Sequence, residues 1–152
     1  MRIWIDADAA PRDAKELVFR LSARLKLPII LVANQSMWVP ASSLINCVVV
    51  PNGADMADKY MVEHSEPGDL AITADIPLAA HLVAKQVFVI DPRGEVYDER
   101  NVASRLASRD FLDAARGAGM ELSGPPPYNN KDRTAFASAL DRVVTRALRP
   151  KS

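Results

Sequence analysis

The sequence opens with MRIWIDAD, residues 1–8, a short apolar run that ends in two carboxylates, Asp6 and Asp8. Residues 3–5 predict a buried strand, because β-branched and aromatic side chains favour an enclosed, pleated surface. In open parallel α/β sheets, ligands collect beyond the carboxyl ends of the strands, at the point where the strand order reverses. A first strand is commonly the central one, so we expect functional residues to lie where this strand stops.

Short apolar runs and amphipathic helical patterns alternate along the rest of the chain. We predict four further strands, at 28–33, 45–50, 70–73 and 87–90. We predict helices at 11–26, about 56–65, 77–85, 101–116 and 134–148, and a loop rich in glycine and proline over 117–132. Such alternation is typical of a parallel sheet with right-handed crossovers. The predicted fold is α/β, a three-layer open parallel sheet of about five strands with extra C-terminal helices, in one domain spanning residues 1–152.

The composition limits the classes of function. The chain has 19 basic and 19 acidic side chains in 152 residues, so no global field indicates binding to nucleic acid or to a membrane. One cysteine, Cys47, excludes an intramolecular disulfide, and its apolar neighbours predict a small buried side chain. No apolar run is long enough to span a membrane and the first residues do not resemble a signal peptide, so we expect a cytoplasmic protein.

Carboxylates follow three of the predicted strands. Asp6 and Asp8 follow the first strand, Asp55 and Asp58 the third, and Asp75 the fourth. Parallel strands end at one edge of a sheet, so all five are expected there, where their mutual repulsion requires bound cations or raised pKa values. We predict that the five bind Mg²⁺ or Mn²⁺, a hard cation that prefers oxygen ligands, whereas the absence of His or Cys ligands argues against zinc.

A second interpretation of these acids is purely structural. Aspartate is a preferred N-cap residue, and both Asp55 and Asp75 stand where a predicted helix begins. Asp58 falls in the first turn, where an acid interacts favourably with the helix dipole. Asp6 and Asp8 are harder to explain in this way, because Asp6 directly ends a buried strand and one helix end cannot use both.

Six segments together carry a resemblance to a known family: IWIDADAAP, LVANQ, VPNGADMADKY, DLAITADIPLAA, PRGEVYDERN and GPPPYNNKDRTAF. The chain resembles the bacterial YaiI/YqxD family, an uncharacterised group whose fold is similar to PIN and NYN nuclease domains. The resemblance implies one or two Mg²⁺ or Mn²⁺ ions in an acidic pocket and hydrolysis of RNA. By position it matches Asp6 and Asp75 to acids that close the first and fourth strands, and Asp55 or Asp58 to a helix acid between them. The chain departs from the family at Ala10, where a cysteine often precedes the proline.

Several other polar or aromatic residues carry weaker signals. Asn34 is predicted either to contact a ribose or phosphate, together with Gln35, or to be an ordinary loop residue. Trp38 is predicted to cover part of the core, with stacking on a base as the alternative. His64 and His81 are predicted to lie away from the acids, in structural or exposed positions. Possible phosphate contacts from the C-terminal part are Lys131 and Arg133 and, more weakly, Arg105 and Arg109.

The sequence hypothesis is therefore a metal-dependent nuclease that hydrolyses RNA phosphodiesters. Asp6, Asp8 and Asp75 are the predicted catalytic residues. Asp6 and Asp75 hold the first cation, while Asp8, Asp55 and Asp58 bind a second ion or orient the attacking water. Two alternatives remain open, a non-catalytic module that binds RNA or a nucleotide and a hydrolase of small phosphate compounds.

Overall fold

The computed structural model describes residues 1–53, 55–119 and 126–149. This part of the chain forms six strands and five helices. The strands are β1 (Ile3–Asp6), β2 (Ile29–Ala33), β3 (Ile45–Val49), β4 (Leu70–Ile72), β5 (Phe88–Ile90) and β6 (Val96–Tyr97). The helices are α1 (Arg12–Leu25), α2 (Met56–His64), α3 (Ile76–Ala84), α4 (Glu99–Gly117) and α5 (Asn130–Ala147).

The sheet has the order β3-β2-β1-β4-β5-β6. Strands β1 to β5 pair in parallel, and β6 pairs antiparallel with β5. The predicted α/β fold with a mostly parallel sheet is confirmed, and the sixth strand, only two residues long, was not predicted. Because β1 lies between β2 and β4, the strand order reverses beside the carboxyl end of β1. This reversal places the end of β1 where the sequence predicts the functional site.

The core forms on both faces of the sheet. Ile3 and Ile5 belong to one buried cluster, and Trp4, between them, belongs to the other. This alternation is the period of two that a strand imposes on its side chains. Helices α1 and α5 bury residues in the first cluster, whereas α2, α3 and α4 bury residues in the second.

Helix α5 begins earlier than predicted. Its N-cap is Asn129, whose side chain accepts a hydrogen bond from the Asp132 amide at 3.0 Å, while the Asp132 carboxylate accepts one from the Asn129 amide at 3.1 Å. This reciprocal capping box fixes the helix start four residues before position 134. Part of the predicted loop over 117–132, namely residues 120–125, lies outside the described residues.

Arg93 attaches the start of α5 to the turn between β5 and β6. Its guanidinium donates hydrogen bonds to the Asp132 carboxylate and to the Pro126 carbonyl, both at 2.6 Å. The next residue, Gly94, has φ +101° and lies so close to Ala135 that an added Cβ would stand 2.7 Å from a backbone carbon. The helix and the turn are therefore in close backbone contact.

None of the helices in the described ranges is both long and apolar enough to cross a membrane.

Candidate functional site

Asp6 is a buried carboxylate at the carboxyl end of β1, with 9% of its surface exposed. Its Oδ2 accepts a hydrogen bond from the Thr73 hydroxyl at 3.1 Å. The same hydroxyl oxygen accepts a hydrogen bond from the Asp75 amide at 3.0 Å. Thr73 therefore links the ends of β1 and β4 across the strand-order reversal.

Asp75 is the N-cap of α3, as predicted. Its Oδ1 accepts a hydrogen bond from the Leu78 amide at 2.9 Å, and Pro77 stands in the first turn. The cap uses one carboxylate oxygen, so the other is not needed for the helix start. Capping and binding are compatible roles for this residue.

Asp8 is exposed and bridges two loops. Its Oδ2 accepts a hydrogen bond from the Asn34 amide at 2.8 Å. Asn34 follows β2, so the loops after the first and second strands are joined directly. The bond involves the Asn34 backbone, which leaves its side-chain amide available for the predicted contact with a ribose or phosphate.

Asp55 occupies the N-cap position of α2, but its side chain does not cap the helix. The residue has φ 69° and its carboxylate accepts no capping hydrogen bond. Capping is therefore the wrong explanation for Asp55. It is exposed, and a non-glycine residue with positive φ is uncommon.

Asp58 lies in the first turn of α2 and is half-buried. Burial, and then the nearby charges of Asp75, Asp6 and Asp55, raise its pKa to about 6, against a modest opposing effect of His81. Its carboxylate receives no hydrogen bond from the described residues. Asp58 thus stands in the repulsive field of acids that come from three other places in the chain.

Burial also raises the pKa of Asp6. The Thr73 hydrogen bond opposes this rise, while the charges of Asp75 and Asp8 add to it. Each of the five predicted acids therefore contributes to the electrostatics around Asp6 or Asp58. The structure brings these acids to one edge of the sheet.

The donor chemistry at this edge fits a hard divalent cation. Asp6, Asp8 and Asp75 each use one oxygen in the contacts above, which leaves a second carboxylate oxygen on each. Within the three described ranges, however, no three acidic, histidine or cysteine side chains are arranged to hold one ion as they stand. A bound cation would therefore have to draw the carboxylates closer together.

A cavity of about 480 Å³ opens beside Asp58. It lies between α2 and α3, and His81 contributes to its lining together with Asp55 and Asp58. His81 is exposed, as predicted, but the prediction that it lies away from the acids is wrong, because its position six residues after the Asp75 cap places it on the side of α3 that lines the Asp58 cavity. His64 is exposed and stacks on Tyr60, with the ring centroids 4.0 Å apart, as expected of a structural residue.

Asp91, directly after β5, is an acid that was not predicted as part of the site. It is half-buried, and its Oδ1 accepts a hydrogen bond from the Arg93 amide at 2.6 Å. Burial raises its pKa, in part against that hydrogen bond. The signal was available in the sequence, since Asp91 follows an apolar run just as Asp6 does.

An arginine-lined pocket of about 610 Å³ adjoins the acids. Ala74 and Ile76, the neighbours of Asp75, form part of its wall. Its cationic lining residues are Arg93, Arg105, Arg109 and Arg116. Each of the four forms an ion pair: Arg93 with Asp132 at 2.6 Å, Arg105 with Glu95 at 2.8 Å, and Arg109 and Arg116 with Asp113, both at 3.4 Å.

Lys131 and Arg133, predicted to contact phosphate, lie in the first turn of α5. Lys131 is exposed and Arg133 is half-buried. In the described part of the chain, neither side chain forms a hydrogen bond or ion pair with the five acids. Their role in substrate binding stays a prediction.

Two predictions of burial need correction. Trp38 is 81% exposed and does not cover the core, because its neighbour Met37 packs against the core cluster instead. Cys47 is half-buried, since β3 is an edge strand with one face only partly covered.

The sequence signature described as "Uncharacterized BCR, YaiI/YqxD family" matches residues 4–146. The chain therefore belongs to the YaiI/YqxD family. It is 52% identical over 150 residues to a UPF0178 protein of Geobacter sulfurreducens, across 98% of this chain and 99% of the relative. It is 53% identical over 149 residues to a UPF0178 protein of Trichlorobacter lovleyi, across 98% and 97%, respectively. A UPF0178 protein of Pseudomonas fluorescens is 47% identical, across 98% and 99%.

These names state no activity. No solved structure matches the chain significantly, so its three-layer, PIN-like classification stays a prediction.

Proposed function

We propose that this protein is a metal-dependent phosphodiesterase that cleaves RNA at the acidic edge of its sheet. The observation that carries the proposal is the crowding around Asp58, whose pKa rises to about 6 in the field of Asp75 and Asp6. Carboxylates from separate elements meet in this way beside the strand-order reversal, the usual ligand position of such sheets. A divalent cation would relieve their repulsion.

Asp6 and Asp75 are the proposed direct ligands of Mg²⁺ or Mn²⁺. They accept hydrogen bonds from the Thr73 hydroxyl and the Leu78 amide, respectively, and each has a second carboxylate oxygen that a cation could draw towards itself. When bound, the cation would supply Lewis-acid stabilisation of phosphate charge and lower the pKa of water. Asp8, Asp55 and Asp58 would bind a second ion or orient the attacking water.

The arginine-lined pocket supports a phosphate-bearing substrate. It shares Ala74 and Ile76 with the segment that carries Asp75, so cationic and anionic side chains flank the same loop. Arg105 and Arg109 would neutralise phosphates on either side of the scissile bond. The four arginines outnumber Asp91 and Glu95, the acidic residues of the same lining, so the pocket has a local excess of positive charge although the charge balance of the chain is zero.

A hydrolase of small phosphate compounds is the second candidate. The Asp58 cavity of about 480 Å³ is within the size range typical of small-molecule sites. A panel of phosphomonoesters, nucleotides and oligonucleotides separates the two candidates. Preference for mononucleotides would contradict the RNA assignment while keeping the acids as the reaction centre.

The test is Mn²⁺-dependent cleavage of end-labelled single-stranded RNA. We expect Asp6→Asn and Asp75→Asn to lower the cleavage rate by about 10² to 10³. Asp141→Asn, an exposed α5 acid, is the matched control and should cleave like the wild type. Equal rates in all four proteins would indicate contamination, and RNA binding without any cleavage would favour the non-catalytic module.

A further inference from the structure

The indole of Trp38 projects from the loop between β2 and β3, with 81% of the residue exposed. Among the described residues it has no stacked aromatic ring and no cation over its face. An exposed aromatic face offers a broad apolar surface on which a planar partner can stack.

Trp38 forms one wall of a groove of about 420 Å³. Phe19 and Met37 supply its other apolar lining residues. The remaining lining residues are charged: Arg12, Lys15 and Glu16. Arg12 and Glu16 form an ion pair at 3.2 Å, so Lys15 gives the groove its net positive charge.

The groove connects with the acidic edge through Lys15. Its amine lies 3.4 Å from the carbonyl oxygen of Ala7, the residue between Asp6 and Asp8. On the other side, the Asn34 amide joins the start of the Trp38 loop to Asp8. A chain bound over Trp38 would therefore pass directly towards the acids.

We infer that this groove, formed by residues of α1 and the β2–β3 loop, binds single-stranded nucleic acid. One nucleobase stacks on the Trp38 face, and the adjoining backbone phosphate pairs with Lys15. Aromatic stacking combined with a cationic groove is the usual mode of single-strand binding, whereas a duplex keeps its base faces covered. The lysine charge argues against a purely apolar peptide. This inference rests on the proposed nuclease function and extends it by assigning the strand-binding site.

The experiment measures the anisotropy of a fluorescein-labelled single-stranded RNA oligonucleotide at low salt in EDTA, so that binding is read without cleavage. We expect Trp38→Ala and Lys15→Gln each to weaken binding about tenfold, and Trp38→Phe to retain most of the affinity. Phe111→Ala removes another exposed aromatic, 73% exposed on α4, and should bind like the wild type. Circular dichroism establishes that each variant is folded.

Tryptophan fluorescence gives a second readout, because the other tryptophan, Trp4, is only 2% exposed. Added RNA should quench the Trp38 emission and protect it from acrylamide. Unchanged emission, wild-type affinity in Trp38→Ala, or no RNA binding by the wild type would each overturn the inference. Self-association that buries Trp38 and is lost in Trp38→Ala would also overturn it, by making a second copy the occupant.

The experiments give different results if the RNA-binding groove is wrong and if the nuclease activity is wrong. RNA binding through Trp38 with no cleavage by the wild type supports this inference and overturns only the proposed activity. If cleavage depends on Asp75 but its rate and KM are unchanged in Trp38→Ala, only the assignment of the groove as the strand-binding site is overturned.

Discussion

The Thr73 hydroxyl donates a hydrogen bond to the Asp6 carboxylate across 3.1 Å, joining two parallel strands at the point where their order reverses. Thr73 is buried, and its hydroxyl oxygen also accepts a hydrogen bond from the Asp75 amide. One hydroxyl thus orients the two acids proposed as direct metal ligands. Its removal should affect both stability and metal-dependent activity.

Thr73→Val preserves the shape of the side chain and removes the hydroxyl. We expect the free energy of unfolding to fall by about 1–3 kcal/mol, because the Asp75 amide loses its acceptor and Asp6 its donor. Loss of the donor should also raise the pKa of Asp6 further. Urea denaturation at pH 7 measures the stability, and Thr73→Ser should recover most of it. A valine variant as stable as the wild type would contradict this role.

Asp58→Asn should stabilise the cation-free protein at neutral pH. The folded pKa of about 6 lies above the ordinary value of 3.8, so the folded state binds the proton more tightly than the unfolded state. The stability gained from this tighter proton binding is fully present below about pH 4 and is lost as the pH rises through 6. The Tm of Asp58→Asn should therefore exceed that of the wild type at pH 7.5.

The Tm advantage of Asp58→Asn should shrink as the pH falls through 6 and should vanish below 3.8, where Asp58 takes up a proton in both states. Scanning calorimetry of the wild type, Asp58→Asn and the control Asp141→Asn, each in EDTA, measures the effect. A lower Tm for Asp58→Asn at pH 7.5 would show that its carboxylate makes a favourable contact rather than standing in a repulsive field.

Asp69, at the opposite end of β4, should show the reverse pH dependence. Burial alone would raise its pKa, but hydrogen bonds from the Arg2 and Glu66 amides and the Trp4 indole, with the Arg2 charge, lower it. Its stabilising effect is present above pH 3.8 and is lost as the pH falls through the lowered folded value.

Asp69→Asn should therefore cost about 2–3 kcal/mol at pH 7, with a smaller difference from the wild type in strong acid. Urea unfolding at several pH values measures it, with the exposed Glu66→Gln as control. A pH-independent difference would mean that the loss reflects packing rather than charge.

The Gly94 turn should not tolerate a side chain. Gly94→Ala would place a Cβ 2.7 Å from the Ala135 backbone at φ +101°, forcing α5 away from the turn. We expect a loss of about 2 kcal/mol or more in unfolding free energy. Gly68→Ala is the matched control, because Gly68 has φ +89° and no heavy atom within 4 Å of an added Cβ. Equal losses in both variants would assign the effect to backbone strain alone.

The sequence predicted the parallel part of the sheet well, because β1, β2, β4 and β5 are buried runs bounded by clear turn residues. It did not predict β6, which is two residues long and depends on pairing with β5 rather than on its own pattern. Local propensity carries little information about such a short edge strand.

The site was partly predictable for a related reason. Asp6 and Asp75 follow buried strands, so their meeting follows from topology alone. The exposure of Trp38 depends on which loop residue packs inward, and local sequence does not distinguish it from Met37. The approach of His81 to Asp58 depends on how α2 and α3 pack together, which no local pattern encodes.

The most direct test of the proposed metal site is a Mn²⁺ titration followed by electron paramagnetic resonance, in which bound ions lose the sharp signal of free Mn²⁺. We expect the wild type to bind one or two ions per chain at millimolar Mn²⁺ or below, and we expect this binding to be lost in Asp6→Asn and Asp75→Asn but not in Asp141→Asn. No bound ion in the wild type at millimolar Mn²⁺, or equal binding by all four proteins, would contradict it.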